Sequence, residues 1–120
     1  MRRGEIWLAR LNPNTGAEAG KVRPVLIILN DALLATGMSP VLCIPLSSKL
    51  YKGLAGLRVA IPPRGRLLKA CYAMPEQARA LDRGRFSDTS LASLTDEEMI
   101  EVEKLFLATC GMVQYLTPQH

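Results

Sequence analysis

Histidine is almost missing from this 120-residue chain: His120 is the only one and occupies the last position. That closes the two-histidine route to acid–base catalysis and leaves no imidazole set for a zinc cluster. Cys43, Cys71 and Cys110 are odd in number, far apart and without a CxxC pair. A disulfide framework needs an even, closely spaced set, so reduced and largely buried thiols are expected. No Gly-x-Ser-x-Gly elbow occurs and no His is placed to activate a serine, which argues against a serine hydrolase. Aromatics make up 5% of residues, too few for a broad base-stacking platform. No apolar run approaches the ~20 residues of a membrane span. Met1-Arg2-Arg3 passes at once to Gly4-Glu5, without the apolar stretch of a signal peptide. The expectation is a cytoplasmic protein with no membrane association.

What is present is ordinary for a globular protein, with 48% hydrophobic and 22% charged residues. The length suits a single domain over residues 1–120. Charge is unevenly placed. Residues 1–85 carry 14 Lys+Arg and 5 Asp+Glu, a balance of +9, whereas residues 86–120 carry 1 and 6, a balance of −5. A basic body of this kind suits a polyanionic partner.

Glu5-Ile-Trp-Leu-Ala-Arg-Leu11 reads as a first strand, ended by the turn-forming Asn12-Pro13-Asn14-Thr15-Gly16. The unbroken apolar run Val25–Leu29 predicts a strand buried on both faces and started by Pro24. One helical turn is expected around Ala32–Ala35. Val41–Leu46 predicts a third strand, with Pro45 marking an edge or bulge. Leu57, Val59 and Ile61 alternate with Arg58 and Ala60, the pattern of a half-exposed strand. Residues 68–79 predict one or two short strands broken at Pro75. Thr95-Asp96-Glu97-Glu98 spells a capping box, and Met99, Val102, Phe106, Cys110 and Val113 form one apolar stripe. A helix over 96–113 is therefore expected, covering a mainly β, antiparallel sheet or small barrel.

The connection from Asn12 to Pro24 is longer than the ~2–5 residues of a hairpin loop. It carries Glu18, Lys21 and Arg23 within six residues, with Gly16 and Gly20 permitting close backbone approach. Arg23 borders the buried strand, so its backbone is anchored on rigid scaffold. Taken alone, the trio reads two ways: solvated ion pairs worth ~0–1 kcal/mol, or a site.

The pattern Arg3-Gly-Glu-Ile-Trp-Leu, then Gly16-x-Glu18-x-x-Lys21-x-Arg23-Pro24-Val25-Leu26-Ile27, then Ile44-Pro45-Leu46-Ser47-Ser48, resembles the MazF/PemK (Kid) toxins. These are ribosome-independent endoribonucleases of toxin–antitoxin modules. The resemblance runs on through Glu76-Gln77-x-Arg79-x-Leu81-Asp82 and the terminal helix. It implies an SH3-like small barrel, usually a homodimer, that cleaves single-stranded RNA at a short motif without metal or cofactor. It also implies a MazE-like antitoxin whose acidic C-terminal tail lies across the RNA groove. Ser47 matches a family position that carries a hydroxyl, commonly Thr, and is nominated on that ground. Lys21, Ser48 and Lys49 are the expected RNA contacts; Gln77 and Arg79 could join them at exposed base edges or simply form the polar face of a strand.

Elementary chemistry is compatible with this. When the 2′-OH of RNA attacks the adjacent phosphorus, a base must take its proton, donors must stabilise charge on phosphorus, and an acid must protonate the 5′-oxygen. Without a usable histidine these parts fall to carboxylate, guanidinium, ammonium or hydroxyl groups. Glu18 is the best base, and Arg23 suits bidentate phosphate binding. The resemblance nominates Arg23 as the acid too, although a guanidinium with a pKa above ~12 is a poor donor. Lys49, Lys52, Arg58, Arg64 and Arg66 could form a phosphate track or simply face solvent. Trp7 could stack on a base or belong to the core or a dimer interface. Two other functions share the expected fold: a non-catalytic toxin acting on DNA gyrase in the manner of CcdB, and a non-catalytic RNA-binding barrel.

Overall fold

The computed structural model describes residues 1–11 and 21–116. The turn at Asn12–Gly16 and the base candidate Glu18 lie outside the described residues.

The apolar run near Pro24 forms the middle of an antiparallel sheet. Strand β1 (Glu5–Arg10) pairs with β2 (Val22–Ile27), and β2 pairs with β3 (Val41–Ser47). Val25, Leu26 and Ile27 are all fully buried, as an uninterrupted apolar strand requires. Leu26 joins Ile6, Ile44 and Leu46 on one face, while Val25 and Ile27 join Ala9, Val41 and Cys43 on the other. The strand begins two residues earlier than expected, so Pro24 is internal and lies opposite Leu8. Ile28 and Leu29 fall beyond its end.

Strand β3 is central and changes partner along one side. Its residues Val41–Cys43 pair with β6 (Arg79–Leu81), whereas Leu46 and Ser47 pair with β5 (Cys71–Ala73). Pro45 stands at the changeover. A strand residue's N–H and C=O point to the same side, so the donor missing from Pro45 faces the gap between the two partners. Its carbonyl still accepts the Met74 N–H at 3.1 Å. Pro45 therefore marks neither an edge nor a bulge but a partner switch, and it is fully buried.

The remaining strands are β4 (Val59–Ile61), which pairs with β5, and β7 (Phe86–Ser93), which pairs with β1. Leu57 lies before β4 in a short helical turn and is exposed. β7 has no counterpart in the sequence reading. The order β4-β5-β3-β2-β1-β7, with β6 beside β3, is an open path. The expected barrel is thus an unclosed antiparallel sheet covered by helix.

Helix α1 (Asp31–Leu34) is the single turn expected, capped by the Asn30 side chain, and it closes the second face with Leu34. Helix α2 (Asp96–Thr109) closes the first with Met99 and Val102. Its capping box is complete: the Thr95 hydroxyl accepts the Glu98 N–H and the Glu98 carboxylate accepts the Thr95 N–H. The stripe predicted to reach Val113 ends sooner. Phe106 still packs on the core, but Cys110 and Val113 are exposed and the helix stops at Thr109. Cys43 and Cys71 are buried as expected; Cys110 is not. Burial pushes the Cys43 thiol up to about 12, so it stays protonated and unreactive.

Candidate functional site

The β2–β3 ladder runs Ile27↔Cys43, Leu26↔Ile44, Val25↔Pro45. Arg23 and Ser47 each lie two residues beyond the Val25↔Pro45 end of that ladder, on adjacent strands. Both line a cleft of about 970 Å³, at the upper end of the ~300–1,000 Å³ typical of ligand sites. Arg23 arrives on β2 and Ser47 closes β3, so neither depends on a loop for its placement. Ser47 is the buried polar residue beside this apolar strand, with 9% of its surface accessible. Its hydroxyl oxygen accepts the Lys49 N–H at 3.2 Å, which leaves the hydroxyl proton to be donated into the cleft.

The changeover at Pro45 shapes the next wall. Between β5 and β6 the chain makes a short helical turn at Pro75–Gln77, and Gln77 and Arg79 follow on either side of its end. Both line the cleft, as do Lys21, Ser48 and Lys49. Every site residue expected from the sequence and described in the structure therefore shares one cavity. Glu18, the exception, lies outside the described residues, three positions before Lys21.

The electrostatics of the cleft are one-sided. Among its described lining residues Lys21, Arg23, Lys49, Arg66, Lys69 and Arg79 are cationic and none is acidic. Such a surface attracts a polyanion, and low-dielectric walls focus its field. Cys71 also lines it, but burial raises its thiol pKa, so it offers no thiolate.

The phosphate track proposed from sequence divides. Lys49 and Arg66 line the cleft and Lys52 does not. Arg58 is committed to Glu76 at 2.7 Å, and Arg64 to Glu98. Trp7 sits away from the cleft, packed on the second core face with its indole N–H donating to the Glu5 carboxylate at 3.1 Å. Tyr51, Leu68 and Lys69 line the cleft without having been singled out from sequence. Tyr51 and Leu68 are strongly exposed for apolar side chains, a signal that only the structure supplies.

A family model described as PemK-like, MazF-like toxin of type II toxin-antitoxin system matches residues 2–108. A protein named Endoribonuclease MazF, from Staphylococcus saprophyticus, is 34% identical over 114 residues, covering 93% of this chain and 92% of that protein. The crystal structure of MazF from Deinococcus radiodurans superimposes with a TM-score of 0.73 at 21% identity, over 93% of this chain and 97% of that one. A MazE–MazF crystal structure from the same organism gives 0.75 at 21%, over 93% and 96%. Mycobacterium tuberculosis toxin MazF-mt6 gives 0.73 at 13%, over 90% and 97%. At these identities the solved structures speak to the fold alone.

Proposed function

Because the chain belongs to the PemK-like, MazF-like toxin family of type II toxin–antitoxin systems, we propose that it is an endoribonuclease that cuts single-stranded RNA without a metal. The observation that carries this reading is the shared cleft: Arg23 and Ser47 line one cavity together with five other cations and no described carboxylate.

In the proposed reaction the 2′-OH of one nucleotide attacks the adjoining phosphorus. Glu18 takes the 2′-OH proton. Arg23 holds two non-bridging oxygens and stabilises the charge that builds on them in the transition state. The Ser47 hydroxyl donates to a phosphate oxygen, held for that purpose by the Lys49 N–H. The P–O5′ bond breaks and the leaving oxygen gains a proton, with Arg23 the family's nominee as donor. The products are a 2′,3′-cyclic phosphate and a 5′-OH end. Lys21, Ser48 and Lys49 bind neighbouring backbone, and Gln77 and Arg79 present hydrogen-bond groups to base edges.

The same cationic cleft suits the acidic tail of a MazE-like antitoxin, which would block the site while bound. A MazE–MazF assembly among the structural neighbours supports that partner, and the family resemblance supports a homodimer. Incubation with a long single-stranded RNA in EDTA tests the reading. Discrete cuts with cyclic-phosphate ends are expected. Intact RNA with retained binding would point to a non-catalytic RNA-binding protein, and intact RNA with blocked DNA supercoiling to a gyrase-directed toxin.

A further inference from the structure

The connection from β4 to β5 holds a turn fastened at more points than its length requires. Arg64 and Leu67 exchange both backbone hydrogen bonds, at 3.1 and 2.9 Å, closing a tight turn over Gly65 and Arg66. Gly65 adopts φ +53°, and a Cβ there would stand 2.8 Å from the Leu91 carbonyl oxygen, so the turn lies directly on β7. The Arg66 N–H donates to that same carbonyl at 2.8 Å, and the Arg66 guanidinium to the Thr89 hydroxyl at 2.9 Å. Arg64 is clasped by the Glu98 carboxylate at the start of α2.

Beyond the Arg66 bond to Thr89, what this turn presents makes no contact that holds the fold among the hydrogen bonds and ion pairs of the described residues. Leu67 is buried, yet Leu68 beside it is 84% exposed. Lys69 makes no ion pair among the described residues. Arg66, Leu68 and Lys69 all line the cleft that contains Arg23 and Ser47. A pre-fixed turn loses little conformational entropy on binding, which favours a ligand-facing role over a mobile surface loop.

We propose that this turn forms a subsite for a nucleotide flanking the scissile phosphodiester, with Arg66 and Lys69 on its phosphate and Leu68 against its sugar and base. The proposal rests on the reading that the cleft holds RNA. RNA is favoured over an acidic peptide because the turn combines two cations with an exposed apolar side chain, matching the alternation of phosphate and apolar ring faces along a single strand. An extended cleft continuous with Arg23 also lets one strand occupy both places.

Cut sites are first mapped on a long single-stranded RNA. A minimal and a lengthened oligonucleotide around one cut are then compared in wild type, Lys69→Gln, Arg66→Gln and Leu68→Ser. The readout is the ratio of kcat/KM for the long substrate to that for the short one, with the salt dependence of binding to the long one. Lys69→Gln is the decisive variant, since among the described residues that side chain makes no hydrogen bond or ion pair. The ratio is expected to fall toward one in all three variants. The salt slope should flatten by about 0.7 for each phosphate contact removed by the Lys or Arg substitutions, and not by Leu68→Ser. An unchanged ratio and slope in Lys69→Gln and Arg66→Gln would overturn the subsite. Weakened binding of a poly-glutamate probe with an unchanged RNA ratio would assign the turn to a peptide and overturn it equally. A wild-type protein that leaves RNA whole would instead overturn the functional reading beneath it.

Discussion

Arg23 and Ser47 lie on neighbouring antiparallel strands, each two residues past the Val25↔Pro45 pair, and line one cleft. The buried centre of the sheet thereby sets the spacing of a guanidinium and a hydroxyl. Replacing Arg23 by Ala should cost about 100- to 1,000-fold in kcat, the usual effect of losing a donor to developing negative charge. Unchanged circular dichroism would assign that loss to chemistry. Full activity in Arg23→Ala would remove this residue from the mechanism.

The part proposed for Ser47 is smaller. Ser47→Ala should slow single-turnover cleavage about 10- to 100-fold, the kinetic equivalent of one hydrogen bond to a charged group. Ser47→Thr should keep activity, because the hydroxyl remains and the added methyl restrains its rotamer. A Thr variant as slow as the Ala variant would show that the hydroxyl is not what matters.

As the proposed general base, Glu18 should give the pH–rate profile an acidic limb, with rate rising as the carboxyl ionises. Glu18→Gln should erase that limb and lower the plateau about 100-fold or more. A limb that persists in the Gln variant would assign it to another group.

Glu98 links stability to acid. The Arg64 hydrogen bond, aided by the Thr95 N–H, lowers its pKa from 4.5 to about 2. A carboxyl depressed in the folded state adds stability that is complete above the unfolded value and is lost as pH falls through the folded one. The window is therefore pH 4.5 down to 2. After allowance for solvent screening the contribution is about 1–2 kcal/mol. Urea melts across this range should show wild type losing that increment, and Glu98→Gln lacking it throughout. Parallel curves for the two proteins would contradict the assignment.

Gly65 is held to a left-handed conformation against the Leu91 carbonyl. Gly65→Ala should lower unfolding free energy by about 1–3 kcal/mol in urea. Equal stability would mean that the turn is not pressed on β7 as described.

Where side chains report their own surroundings, the sequence was readable. The run at Val25–Leu29 pointed to a buried strand, of which Val25–Ile27 form the buried part, and the Thr95–Glu98 capping box located the start of α2. The end of that helix was harder to read, because Cys110 and Val113 continue the apolar spacing yet meet no core. Strand β7 was missed for a related reason. Phe86–Ser93 is rich in Ser, Asp and Thr, and its ladder with β1 contains register shifts that break the alternation. Arg23, Ser47, Gln77 and Arg79 were legible through motif; their meeting in one cleft follows from the β2–β3 register and the partner switch at Pro45. Tyr51, Leu68 and Lys69 lie in ordinary-looking connections, and only the folded turn at Gly65 turns the last two toward the site. Arg58 and Arg64 show the converse: their charge suggested phosphate, but carboxylates from distant segments neutralise it.

In the proposed reaction RNA supplies its own nucleophile within the cleft that Arg23 and Ser47 line. The most direct measurement uses an oligonucleotide carrying one 2′-deoxy nucleotide on the 5′ side of a mapped cut, in EDTA. Binding close to that of the all-ribose strand with no cleavage at that bond is the expected result. Cleavage there at the all-ribose rate would contradict the mechanism.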